Sequence, residues 1–337
     1  MADAPRVLIT GAAGFVGPWL AHRLLADGAA VLGVSRGDGD DLPSRLPLFT
    51  GESQGDGRLY CGENGCWECR AGDILAPDLV GDLLADWRPD WVFHLAARSS
   101  AGDSFRHAAA TVETNVQGTL AVLEAVRALP ESRRPRVILA GSADEYGAPR
   151  APVPLAESTP PRPVSPYGAS KAAATLLGLQ YHAAFGLDVV VARPFSHVGP
   201  GQSPRFLFPS LARQVVAAER GEGPRELAVG DLSHRRDYLP VTDVTAAYLA
   251  LARRGRTGRV YNICSGRGIV LLDAAHLLLA GSQVPVTLRR DPARARPADI
   301  PLLVGDPTRL SAETGWRPTG SLEDALHKLL DWTRETT

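Results

Sequence analysis

The stretch Arg6-Val7-Leu8-Ile9-Thr10-Gly11-Ala12-Ala13-Gly14-Phe15-Val16-Gly17 decides the fold. Its first five residues are a short β-branched run with no polar alternation, as expected of a strand buried on both faces in a parallel sheet. An amphipathic stretch carrying Leu20, Leu24 and Leu25 follows the glycines and ends at Gly28. Pro18 falls in the first turn of that helix, where a missing N–H costs least. A second apolar strand, Ala30-Val31-Leu32-Gly33-Val34, comes at once. In this context each glycine has a task. Gly11 permits the tight turn, Gly14 lets backbone approach a pyrophosphate, and Gly17 lets the helix pack on the strand. The helix N-terminus offers free N–H groups and a favourable dipole to that anion. No Lys-Ser or Lys-Thr follows, which excludes a P-loop.

Cofactor choice is read where the second strand ends. An acid there bonds a ribose 2′-hydroxyl, whereas an arginine accommodates a 2′-phosphate. Here Ser35-Arg36 ends the strand, and Asp38 and Asp40 come only later. Arg36 therefore favours NADP(H), with NAD(H) as the alternative.

Further out, residues 37–57 are rich in Gly, Asp, Ser and Pro and read as irregular, within an insert spanning about 37–69. Alternation then resumes near Trp67. It continues with a helix at about Pro77–Trp87, the strand Trp91–Leu95, and a long helix at about Phe105–Leu129. The strand Val137–Ala140, a second long helix from Pro166 and the strand Asp188–Ala192 complete it. The pattern predicts an α/β fold: a Rossmann-type doubly wound parallel sheet over 1–194, with a smaller, partly interleaved C-terminal α/β substrate-binding lobe over 195–337.

A formal net charge of -1 gives no basic field for nucleic acid. No apolar run reaches the roughly 18 to 20 residues of a membrane span, and no signal-peptide pattern opens the chain. The expectation is a cytoplasmic protein.

The run Ser165-Pro166-Tyr167-Gly168-Ala169-Ser170-Lys171 opens the second long helix. Tyr167 and Lys171 sit four apart on one helix face. An ammonium there is expected to lower the phenol's pKa from its usual ~10 and equip it for proton transfer. Ser142, just past the Val137 strand, lies at the carboxyl edge where such sheets bind ligands, and its hydroxyl can donate to a substrate carbonyl.

Together, Gly11-x-x-Gly14-x-x-Gly17, His94-Leu95-Ala96-Ala97, Ser142 and Tyr167-x-x-x-Lys171 resemble the extended short-chain dehydrogenase/reductases in order and spacing. The resemblance implies that Ser142, Tyr167 and Lys171 are catalytic. It implies cofactor contacts from Phe15, Val16, Ile74, Leu95, Ala96 and Ala97, with Asp73 on the adenine. The C-terminal half is most similar to the nucleotide-sugar branch, through Arg193–Phe206, Arg235–Tyr238, Cys264–Gly268 and Arg296–Pro301, and resembles GDP-4-keto-6-deoxy-D-mannose reductases and GDP-mannose 4,6-dehydratase-like enzymes. This implies that Arg205, Arg236 and Arg296 contact a nucleotide diphosphate, as guanidinium forks suit such an anion. It also implies a homodimer through the helices at about 105–129 and 166–185.

Two departures bear on the reaction. Ser196 stands where the family often has Asn, which points to an altered sugar pocket. Dehydratases place an acid or hydroxyl and then Glu after the catalytic hydroxyl; here those positions hold Ala143 and Asp144, with Glu145 one place late. On an extended segment such a shift turns the side chain to the other face. The expected function is NADPH-dependent 4-keto reduction of a GDP-linked deoxyhexose. A 4-epimerase with retained cofactor is the alternative, a dehydratase is disfavoured although Asp144 can act as a base, and a non-catalytic cofactor-binding regulator is disfavoured by the intact triad.

Cys61-x4-Cys66-x2-Cys69 has the spacing of three zinc ligands but lacks an obvious fourth. A knuckle of reduced thiols or a labile disulfide is the other reading. His94 is expected to be a satisfied core or cofactor-wall residue, while His197 and His234 can line the sugar pocket.

Overall fold

A computed structural model describes residues 4–36, 46, 48–54, 57–148, 154–294 and 300–337. Its centre is a nine-stranded sheet. In chain order its first strands are β1 (Arg6–Thr10), β2 (Ala30–Ser35), β3 (Thr50–Gln54), β4 (Gly57–Gly62), β5 (Gly65–Ala71), β6 (Trp91–His94), β7 (Arg136–Ala140) and β8 (Val189–Pro194). β9 (Ser196–Val198), β10 (Glu226–Val229) and β11 (Arg235–Pro240) belong to the second half, as does β12 (Arg259–Ile263), which returns to the main sheet. The sheet order is β12-β8-β7-β6-β1-β2-β5-β4-β3, and every pairing from β12 across to β5 is parallel. The expected Rossmann-type doubly wound architecture is present.

The strands have the composition that two covered faces require. Val7, Leu8 and Ile9, like Val189, Val190 and Val191, are fully buried. On one face Phe93 meets Tyr248 edge to ring from the helix Val241–Arg254. Burying such a side chain contributes about 1.5–3 kcal/mol. A second core, including Val198, Phe208, Leu211, Ala274, Ala275 and Leu326, fills the C-terminal half.

Two expectations need correction. The insert is not irregular throughout: residues 50–54 and 57–71 form the antiparallel β3–β4–β5 meander, and β5 is also the strand beside β2. Its inward side is a short alternation, with Tyr60, Trp67 and Cys69 buried around Phe49; Gly and Asp in the turns hide that period. Residues 37–45 lie outside the described part.

The helix expected over 105–129 is broken. A five-residue helix at Ala108–Val112 passes through a π turn at Glu113–Gln117 into the helix Gly118–Ala128. The turn carries Asn115 inward, where its side chain bonds both backbone groups of Arg98 and the Ser170 hydroxyl. A π turn of this kind commonly marks a functional region. No helix among the described residues is long and apolar enough to cross a membrane.

Candidate active site

A cleft of about 1110 Å³ opens at the carboxyl edge of the parallel strands. Its floor is the glycine turn. Gly11 has φ +70°, and a Cβ there would come within 2.6 Å of the Ala96 backbone; a Cβ on Gly17 would run into the Ala12 carbonyl. The helix Val16–Ala26 begins behind this turn with no side-chain cap, so its first N–H groups face the cleft as an anion cradle. The cradle fits a dinucleotide pyrophosphate.

The cleft brings together nearly every residue singled out from the sequence. Gly14, Phe15, Val16, Arg36, Asp73 and Ile74 line one end, with Leu95, Ala96 and Ala97 beside them. Ser142, Asp144, Tyr167, Lys171 and Ser196 line the middle, and Arg205 and Arg236 the far end. Arg296 lies outside the described residues.

Tyr167 stands in the first turn of the helix Pro166–Phe185. Ser165 caps that helix by accepting from the Gly168 N–H at 3.0 Å, and Pro166 fixes its start. One turn on, Lys171 is buried and its Nζ donates to the Ala140 carbonyl at 2.7 Å. Ser142 caps a 3-10 turn, Ala143–Tyr146, its hydroxyl accepting from the Asp144 N–H at 3.2 Å, and it lines the cleft together with Tyr167. From behind, Ser170 donates to the Tyr167 carbonyl at 2.8 Å and receives the Asn115 amide.

The electrostatics overturn one expectation. Burial, and then the charges of Asp144 and Glu145, push the Tyr167 phenol above its ordinary value; only the Ser142 hydrogen bond opposes them. Lys171 does not offset this. Its own pKa falls to about 8 because burial disfavours its ammonium, against a smaller opposing pull from Glu145. Burial and the neighbouring carboxylates thus disfavour the phenolate.

Glu145 turns away from the cleft, as its late position implied, though by a different local route. The segment is a 3-10 turn rather than extended, and Glu145 turns fully into the protein. Its carboxylate accepts from the Ser142 N–H at 2.8 Å and from Arg193 at 2.7 Å. Asp144 is left as the acid on the cleft wall. His94 is the satisfied core histidine expected: Thr10 and Thr119 bond its two ring nitrogens, and burial lowers its pKa to about 3. His197 lines the cleft, stacked on Phe15 with centroids 5.7 Å apart and its Nδ1 at the Phe195 carbonyl.

Zinc at the cysteine cluster is corrected. Cys61 and Cys66 face each other across β4 and β5 and form a disulfide. Cys69 lies three residues along the strand from Cys66, hence on the opposite face, and is buried. Among the described residues no group of His, Cys, Asp and Glu is placed to hold a metal.

Sequence reasoning missed several wall residues of the far end, among them Gln214, Leu232 and Arg294. Gln214 bonds the Ala228 N–H and carbonyl, a contact with no local sequence signal. Arg294 sits two residues before Arg296, in an arginine-rich run whose sequence reads only as a loop.

Fold and cleft together define an extended short-chain dehydrogenase/reductase that acts on nucleotide sugars. The chain belongs to the family described as GDP-mannose 4,6 dehydratase, whose model matches residues 8–329. It is 40% identical over 262 residues to a GDP-6-deoxy-D-mannose reductase of Pseudomonas aeruginosa, covering 77% of this chain and 85% of that one. It is 32% identical over 331 residues to a UDP-glucose 4-epimerase of Mycolicibacterium smegmatis, covering 98% of each. Among solved structures, RMD from Pseudomonas aeruginosa complexed with NADPH superposes with a TM-score of 0.80 at 33% identity, over 99% of this chain and 100% of that one.

Proposed function

We propose that this enzyme uses NADPH to reduce the 4-keto group of a GDP-linked 6-deoxyhexose. The observation that carries the reading is the placement of Ser142, Tyr167 and Lys171 in the middle of one cleft that also holds the glycine turn and Arg36 at one end and Arg205 and Arg236 at the other. Reduction requires a group that gives up a proton to the developing alkoxide, and a phenol, ordinarily protonated near neutral pH, can fill that role. The similarity to a GDP-6-deoxy-D-mannose reductase supports the base and the sugar class.

When bound, the reduced nicotinamide supplies the hydride to the carbonyl carbon. The chain's own residues do the rest. Ser142 donates to the carbonyl oxygen and stabilises charge building there. Tyr167 transfers its proton to that oxygen, and the ammonium of Lys171 stabilises the phenolate left behind. Glu145, engaged by Arg193 and Ser142, is withheld from the cleft, which disfavours a dehydratase. Arg36 at the adenine end suits a 2′-phosphate, and Arg205, Arg236 and Arg296 suit the diphosphate. Val112 and Leu176, 44% and 61% exposed on the two long helical segments, suit pairing with a second copy.

Purified enzyme given NADPH and GDP-4-keto-6-deoxymannose tests this. Loss of NADPH absorbance equal to the alcohol formed is the expected result. Exchange of two sugars with no net loss of NADPH overturns it in favour of a 4-epimerase.

A further inference from the structure

One buried charge pair lies outside the cleft lining. Glu145 and Arg193 meet at 2.7 Å with side chains 0% and 3% exposed, and two of the Arg193 nitrogens, Nε and Nη1, have no hydrogen-bond partner. A buried ion pair is commonly less stabilising than well-packed apolar residues of equal volume, so stability alone does not account for it. A capping box needs only an acceptor at its third position, and an exposed glutamine provides one.

The pair stands directly behind the reacting groups. Oε1 of Glu145 accepts from the Ser142 N–H at 2.8 Å and the Thr175 hydroxyl at 3.1 Å, while Oε2 takes Arg193. Arg193 is fixed in turn, with its guanidinium 4.6 Å from the centroid of the Tyr146 ring. Gly141 leaves room for the carboxylate, because a Cβ there would lie 2.5 Å from Oε1. Ser142 is thus clamped through its backbone, on the same cleft wall as Tyr167.

We propose that Glu145, locked by Arg193, is the positioning residue of this reaction: it holds Ser142 where its hydroxyl meets both the Tyr167 phenol and the substrate carbonyl. The proposal rests on the reductase reading. The Glu145 charge also favours the protonated form of Lys171.

The test compares two double variants, since either single change strands a buried charge. Glu145→Met/Arg193→Met removes the pair at similar volume and removes the acceptor for Ser142. Glu145→Gln/Arg193→Met removes the pair but keeps the acceptor. With folding checked by thermal melts, the first is expected to lower kcat on the order of 30- to 100-fold with KM for the nucleotide sugar little changed, as misplacement of a reacting group does. The second is expected to recover most of that loss. Equal kcat in wild type and both folded variants overturns the proposal, as does a loss carried by KM alone. Should either fail to fold, Thr175→Val removes one donor to Oε1 and leaves the pair intact. A two- to threefold fall in kcat at constant KM is then expected, and no change overturns the proposal. Wild-type activity in Tyr167→Phe would instead defeat the functional reading itself, so the two failures are distinguishable.

Discussion

The middle of the cleft and its arginine rim are built on opposite terms. Around Tyr167 the side chains are buried or half-buried and every support comes from a regular element: a capped helix, a strand end and a π turn. At the rim, Arg205 is 74% exposed and meets Asp103 at 3.5 Å, a pair worth little in water. The middle is held by hydrogen bonds from several elements, whereas the rim pair is exposed to water. Under the proposed function, the first arrangement suits chemistry and the second suits capture of a charged ligand.

Substitutions can break this contrast. The largest effect is expected from Tyr167→Phe, with kcat lower by about 10²–10⁴ and cofactor affinity preserved; comparable kcat would remove Tyr167 from the chemistry. Next comes the pH dependence. Lys171 is charged below about 8 and neutral above it, so kcat for reduction should fall as pH rises through about 8, and Lys171→Met should be slower throughout and lack that limb. The same shift predicts a stability change: the unfolded chain holds this proton up to the usual lysine range, so the lysine's penalty on the fold is relieved as pH climbs from about 8. A melting series across that window measures it.

Smaller effects sharpen the rim side. Arg36→Ala should raise KM for NADPH by about 10- to 100-fold, the value of a charged hydrogen bond, and leave NADH nearly unaffected. Equal effects on both cofactors would mean that no 2′-phosphate contact exists. Arg205→Ala should raise the sugar KM only about three- to tenfold, and less at high salt. Smallest of all, Cys61→Ser/Cys66→Ser should keep kcat within about twofold, because the bridge closes a short loop away from the cleft; a large loss would tie the hairpin to the adenine end.

What was legible in the sequence followed from local rules. β1, its glycine turn and the following helix announce themselves by composition, and Tyr167 and Lys171 by helical spacing. The illegible parts depend on distant partners. Glu145 is turned from the cleft as its spacing implied, but its partner there, Arg193, lies 48 residues on and has no local signal. Spacing conveys proximity but not burial, which is why Lys171 does not lower the Tyr167 phenol as expected. The zinc reading of the cysteines failed because strand alternation separates Cys66 from Cys69, and the strands themselves were masked by their turns.

The return of β12 to the main sheet has a consequence for synthesis. The run Val189–Ala192 on β8 is wholly apolar and buried, and its outer edge pairs with Arg259–Ile263. At ribosomal speeds the 64 residues between the two strands take about 3–13 s to appear. For that interval the nascent chain carries an open hydrophobic strand edge, the kind that recruits neighbouring chains. Yield in a host should therefore depend on chaperone supply and translation rate more than on the final stability of the enzyme.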